Sequence, residues 1–160
     1  EIGRVSSNKA VFVAAVQTDR NHHPQYIVLS PVKAFSRNEI KIWAENHIDS
    51  RACVLTGSLD CFKALDSHCQ HFSINMKEAG KAVVVNELKW VNTVLGNVKT
   101  AFSGALHSFD FKKYSGRYLG NMQFRFNHRF DLKQCFYEVI NQGVLASPKP
   151  ARILYSQEYG

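Results

Sequence analysis

Residues 9–32 have the sequence KAVFVAAVQTDRNHHPQYIVLSPV, in which two apolar runs flank a polar centre. The first run, residues 9–17, is rich in valine and almost continuous, which is typical of a buried strand. Residues 18–24 combine charged, polar and proline positions that favour a turn. A second apolar run follows at once, at residues 25–32, so the stretch predicts an antiparallel β-hairpin.

A helix signal follows the hairpin. Ser36 and Glu39 have the spacing of a capping box, in which the Ser36 hydroxyl accepts from the Glu39 amide and the Glu39 carboxylate reaches back. Apolar residues then recur at helical spacing, among them Ile40, Trp43 and Ala44. Residues 40–48 are therefore predicted to form a helix with one apolar face.

Shorter elements are predicted for the rest of the chain. The pattern indicates a strand at 52–56, a short helix at 59–67, a last strand at 71–76 and a loop at 77–86. Helices follow at 87–101, at 111–128 with Asp110 as cap, and from Asp131 to near Gly143. This order predicts an α/β fold, a mixed sheet with flanking helices and further C-terminal helices, as one domain over residues 1–160. Residues 144–160 are predicted to be a solvated tail.

Bulk composition narrows the classes of function. No apolar run approaches the roughly 20 residues of a membrane span, so we expect no membrane partner. The net charge of +7 makes anionic partners, nucleic acid first, the leading class. The four cysteines include no C-x-x-C pair, which argues against a metal knuckle and favours free thiols in a cytoplasmic protein.

Four stretches carry a resemblance to a known family: GRVSSNKAVFVAAVQ, CVLTGSLDCF, WVNTVLGNVKT and HSFDFKKYSGRYLGNMQFRFNHRFDL. Together they resemble the catalytic part of bacterial insertion-sequence transposases, in the family called fifteen-ninety-five. The resemblance implies an RNase H-like, DDE-type integrase core with an Asp, Asp, Asn, Glu-or-Lys set. It also implies DNA cleavage and strand transfer at insertion-sequence ends, with two Mg²⁺ or Mn²⁺ ions as cofactors.

The family's site residues carry over incompletely. Its Ser-Asp-Gly-Leu-x-Cys-Phe segment falls on residues 56–62, and its second Asp falls on Gly57. The strand with its first Asp would lie before Glu1, so the chain is expected to be truncated at its N-terminus. Asn92 matches the family Asn, and Lys99 best matches the final Glu-or-Lys position. We therefore expect no intact metal site, no bound Mg²⁺ or Mn²⁺, and an inactive relic of the enzyme.

The same resemblance gives expectations for fold and partners. Without its first, central strand the sheet should pair its strands differently or be poorly stable. The partner should be double-stranded DNA of the terminal repeats, with a homo-oligomer expected from the family and a location in the cytoplasm at the bacterial nucleoid. Basic residues on the 111–128 helix and just after it would contact phosphates, or would form only a solvated helix face: Lys112, Lys113, Arg117, Arg125 and Arg129. The alternatives to a transposase are a non-catalytic DNA-binding remnant and a decayed product without function.

Overall fold

The computed structural model describes residues 11–75, 87–105 and 111–148. Its strands are β1 (Val11–Thr18), β2 (Pro24–Val32), β3 (Cys53–Gly57) and β4 (Gln70–Ile74). Its helices are α1 (Arg37–His47), a 3₁₀ helix (Asp60–Ser67), α2 (Lys89–Ala105), α3 (Phe111–Asn127) and α4 (Leu132–Leu145). The predicted α/β class is confirmed. The predictions for residues 1–10, the 77–86 loop, the Asp110 cap and residues 149–160 lie outside the described residues.

The predicted hairpin is confirmed. Strands β1 and β2 pair antiparallel, with Val11 opposite Val32 at the open end. At the turn, the Asp19 carboxylate accepts from the backbone amides of Asn21 and His23, both at 2.8 Å. These bonds satisfy donors that have no strand partner at the turn and fix its shape.

Both faces of the hairpin are covered, which explains its nearly continuous apolar sequence. Val13 and Ala15 of β1 pack into a core cluster with α1, whereas Phe12 and Ala14 pack into a second cluster with α2 and α3. Successive side chains of a strand point to opposite faces. The hairpin is thus the middle layer of three, with α1 on one side and α2 and α3 on the other.

The strands belong to two sheets. Strands β3 and β4 pair parallel to each other, and no ladder joins them to β1 or β2 within the described ranges. Val54 of β3 nevertheless packs against the same cluster as Val13, around α1. The described strands include one antiparallel and one parallel pair, as a mixed sheet would. They form two separate sheets, however, and not the single mixed sheet that was predicted.

Side chains of α3 cover the outer edge of β2. The Asn127 side chain accepts from the Ile27 amide at 2.8 Å and donates to the Ile27 carbonyl at 3.0 Å. Gln123 Oε1 accepts from the Leu29 amide at 2.8 Å. An edge strand with free backbone groups invites unwanted pairing, so these amides close the hairpin on that side.

Helix ends follow the sequence signals with small corrections. Ser36 Oγ accepts from the Glu39 amide as predicted, but the Glu39 carboxylate accepts from the Lys33 amide at 3.4 Å. Asp131 caps α4 as predicted, by accepting from the Gln134 amide at 2.8 Å. Helix α4 ends at Leu145, two residues beyond the predicted end near Gly143, and so takes in the first two residues of the predicted tail.

The buried side of α3 includes Leu119 and Ser115 but not the neighbouring Tyr118. Leu119 is fully buried and Ser115 almost so, while Tyr118 stays 36% exposed. Met122 and Phe126 pack against the same cluster as Leu119.

Among the described helices, none combines the length and apolar character that crossing a bilayer requires.

Candidate functional site

Gly57 is the last residue of β3, at the end of the strand where the sequence predicts a lost carboxylate. A Cβ atom placed there would meet no heavy atom within 4 Å beyond its chain neighbours. Its φ lies outside the left-handed region that favours glycine. Space and backbone would therefore accept any ordinary side chain, so steric need does not explain the glycine.

A buried histidine adjoins this strand end. His71 Nε2 lies 2.8 Å from the Thr56 hydroxyl, and His71 Nδ1 lies 2.5 Å from the Asp66 carboxylate. The His71 side chain is only 4% exposed, whereas that of Asp66 is 61% exposed. The parallel register sets Val54 opposite His71, so Thr56, two residues on, points to the same face.

The protons of this network can be arranged in two ways. Thr56 Oγ1 also lies 3.0 Å from the Gly57 carbonyl, to which it can donate. A hydroxyl has one proton, so Thr56 donates either to Gly57 or to a neutral His71 ring. In both arrangements the network satisfies a buried ring and fixes the end of β3. We interpret it as structural, although hydroxyl, imidazole and carboxylate also occur together in nucleophilic sites.

Asn92 and Lys99 lie on α2. Both are exposed, and their spacing of seven positions places them on one flank of the helix, about 10 Å apart along its axis. Val94 and Val98 of the same helix are buried against the hairpin. Gly57 belongs to the other sheet, so the three predicted catalytic positions are divided between two parts of the fold.

The five predicted DNA-binding residues spread around α3 and its end. Lys113 and Arg117 are one turn apart on one face, and Arg125 and Arg129 are one turn apart on a face rotated by about 80° or more. Arg117 and Arg125 are exposed. Lys112 is in the first turn of α3, and its side chain lies outside the description.

Arg129 is engaged within the chain. Its guanidinium donates to the carbonyls of Pro24, Gln25 and Phe126, the last two at 3.1 and 2.8 Å. It also stacks 3.9 Å from the centre of the Phe126 ring. These contacts hold the C-terminal end of α3 to the start of β2, and they would compete with any phosphate.

The comparison with known proteins decides the family. The model of the ISXO2-like transposase domain matches residues 1–127. The chain belongs to this transposase family. No curated protein and no solved structure matches it. The match takes in the hairpin, the Gly57 strand end, α2 and α3, and it stops before α4.

The three residues predicted for the catalytic site do not fit the divalent metals that such transposases typically use. Gly57 offers no side chain, Asn92 offers a neutral amide and Lys99 a cation, whereas Mg²⁺ requires anionic oxygens to offset its dehydration. No group of three His, Cys, Asp or Glu side chains in the described part of the chain could hold a metal ion.

Asp60 is the acidic residue nearest to Gly57 in the sequence, and its carboxylate already has two basic partners. Its carboxylate accepts from the Arg37 guanidinium at 2.8 and 2.9 Å and lies 3.0 Å from Lys63 Nζ. These partners, Arg37 above all, lower the pKa of Asp60 to about 2.

Two features of this transposase were missed in the sequence. The Thr56–His71–Asp66 network depends on the register of β3 and β4, and the amides of α3 reach a strand about 100 residues earlier. The local signal for the first was a histidine in the predicted 71–76 strand. The Gln123 and Asn127 pair, four residues apart on one helix face, was the signal for the second.

Proposed function

We propose that this transposase domain binds insertion-sequence ends but does not cut or join them. The observation that carries the proposal is Gly57, a side-chain-free position at the strand end where the family has its second Asp. Since Asn92 and Lys99 bring no negative charge, paired divalent cations would have no anionic ligands here.

The proposed fold is an RNase H-like core whose central strand is not among the described residues. Two observations support it. Strands β1 and β3 pack around the same helix, α1, yet sit in separate sheets. The outer edge of β2 is closed by α3. The edge of β1 that does not pair with β2 has no strand partner among the described residues. A strand between β1 and β3 would join the two small sheets into one mixed sheet.

DNA recognition is proposed to rest on charge. The chain carries a net charge of +7, and Arg117 and Arg125 are exposed on α3. Arginine binds phosphate oxygens through charge-assisted hydrogen bonds and releases counterions from the duplex. The proposed partner is double-stranded DNA of the terminal repeats, bound in the cytoplasm at the nucleoid, with assembly of more than one copy.

A gel-shift series on terminal-repeat duplexes tests binding. We expect affinity to fall steeply with salt, and the Arg125→Ala variant to bind more weakly with a salt slope smaller by about 1. Lys41→Ala, an exposed cation on α1, is the matched control and should bind as the parent does. Equal losses in both variants would show that only net charge matters.

A strand-cleavage assay tests the lost activity. The same duplexes, incubated with Mg²⁺ or Mn²⁺ at concentrations where binding is complete, should stay intact. Robust metal-dependent cutting by the 160-residue chain would overturn the proposal. Binding without cutting separates it from a decayed product, which would do neither.

A further inference from the structure

Helix α4 presents an apolar surface that the rest of the chain leaves in water. None of its residues is buried. Six large apolar residues occupy one side of the helix and are each 45% to 79% exposed: Leu132, Phe136, Tyr137, Val139, Ile140 and Val144. At 100° per residue they span an arc of about 160°, which we call the α4 arc.

The arc points away from the domain because the polar side of the helix is attached. Glu138 Oε2 lies 2.9 Å from His128 Nε2, at the C-terminal end of α3. On the helix wheel Glu138 is about 160° from Phe136, which is at the middle of the arc. The helix therefore uses its polar side to contact the transposase domain, and the arc faces outward.

The exposed area is large enough for a stable interface. With roughly 150–250 Å² for a whole aromatic side chain and less for an aliphatic one, the α4 arc and the 88% exposed Phe130 leave on the order of 800 Å² of side chain in water. The largest apolar patch on a typical monomer is only about 300–600 Å². One partner in a standard protein interface contributes about 800 Å².

The charges on α4 decide which kind of partner fits the α4 arc. Helices that lie on anionic membranes or on DNA carry Lys and Arg on their polar side, whereas the polar side of α4 holds Gln134, Glu138, Asn141 and Gln142. The arc contains one charge, Lys133, near one end of the helix. Two α4 helices packed antiparallel would keep their Lys133 residues about 18 Å apart, and would oppose their helix dipoles favourably.

We infer that α4 is a dimerisation helix, which packs antiparallel against α4 of a second copy of this chain through the α4 arc. Ile140 lies next to the two-fold axis of this pair, since it is near the middle of the helix and near the centre of the α4 arc. Gly143 also lies on the arc, and it lets the two backbones approach. The inference uses no property of the proposed DNA site, so either can fail without the other.

Sedimentation of the full chain without DNA tests the dimer. We expect a monomer–dimer equilibrium whose dissociation constant rises at least about 30-fold in Phe136→Glu, the cost of losing a central contact. Leu145→Glu is the matched control, because Leu145 is 79% exposed but on the opposite side of the helix from Phe136. Circular dichroism verifies that both variants keep their helix content.

Cysteine cross-linking tests the orientation, in a background with Cys53 and Cys135 changed to serine. Ile140→Cys should form a disulfide between two copies, whereas Leu132→Cys should not, because the two copies of residue 132 would be on the order of 20 Å apart. A chain that stays monomeric at all concentrations would overturn the inference, as would equal loss of the dimer in Leu145→Glu. Binding of the monomer to anionic lipid vesicles through Phe136 would overturn it in favour of a membrane.

Discussion

Removal of the Asn127 side chain is expected to destabilise the fold more than an exposed helix amide should. In Asn127→Ala the amide and carbonyl of Ile27, a residue only 3% exposed, both lose their partner. Each unsatisfied buried group costs about 1–3 kcal/mol. Since water can reach part of this edge, we expect a loss of about 3 kcal/mol from a total that is typically about 5–15 kcal/mol.

Urea unfolding followed by circular dichroism measures this loss. With a slope of about 2 kcal/mol per molar urea, the midpoint should fall by about 1.5 M. Gln123→Ala breaks one bond, to the Leu29 amide, and should cost about half as much. Asn141→Ala, an exposed amide on α4, is the control and should change stability by less than about 0.5 kcal/mol.

The comparison of the two asparagine variants decides whether the reasoning holds. If Asn127→Ala unfolds at the same urea concentration as Asn141→Ala, the amides of α3 do not protect the edge of β2. The proposal of a central strand between β1 and β3 would then lose one of its two supporting observations, because it relies on α3 closing the edge of β2. Increased aggregation of Asn127→Ala is a second expected result, because its free strand edge can pair with other chains.

Three further predictions concern packing, strand propensity and pH. Leu119→Ala should cost about 3 kcal/mol in urea unfolding, because Leu119 is fully buried and its loss leaves a cavity; a cost below about 1 kcal/mol would contradict this packing. Gly57→Ala should raise the stability by about 0.5 kcal/mol, since its Cβ meets nothing and glycine weakens strands, and a lower melting temperature would reveal a clash. Arg37 lowers the pKa of Asp60 to about 2, so the stability from this pair is present above pH of about 4 and is lost as the pH falls towards about 2. Asp60→Asn should flatten the fall in melting temperature over that window, and an unchanged slope would mean that the pair has no effect.

Local signals in the sequence determined much of this protein. The hairpin follows from two apolar runs around a polar turn, and the starts of α1 and α4 follow from Ser36 and Asp131. These features depend on residues a few positions apart, so the sequence contains all that is needed to predict them. The four family stretches likewise identified the transposase from the sequence, and the match over residues 1–127 confirmed it.

Tertiary structure alone decided the remaining features. The separation into two sheets, the amides of α3 on β2 and the Thr56–His71–Asp66 network each join segments whose spacing in the chain carries no local signal. The outward face of α4 is of the same kind, because an apolar helix side predicts burial but does not say against what. Such contacts are set by which surfaces meet once the chain is compact, and that depends on the whole fold.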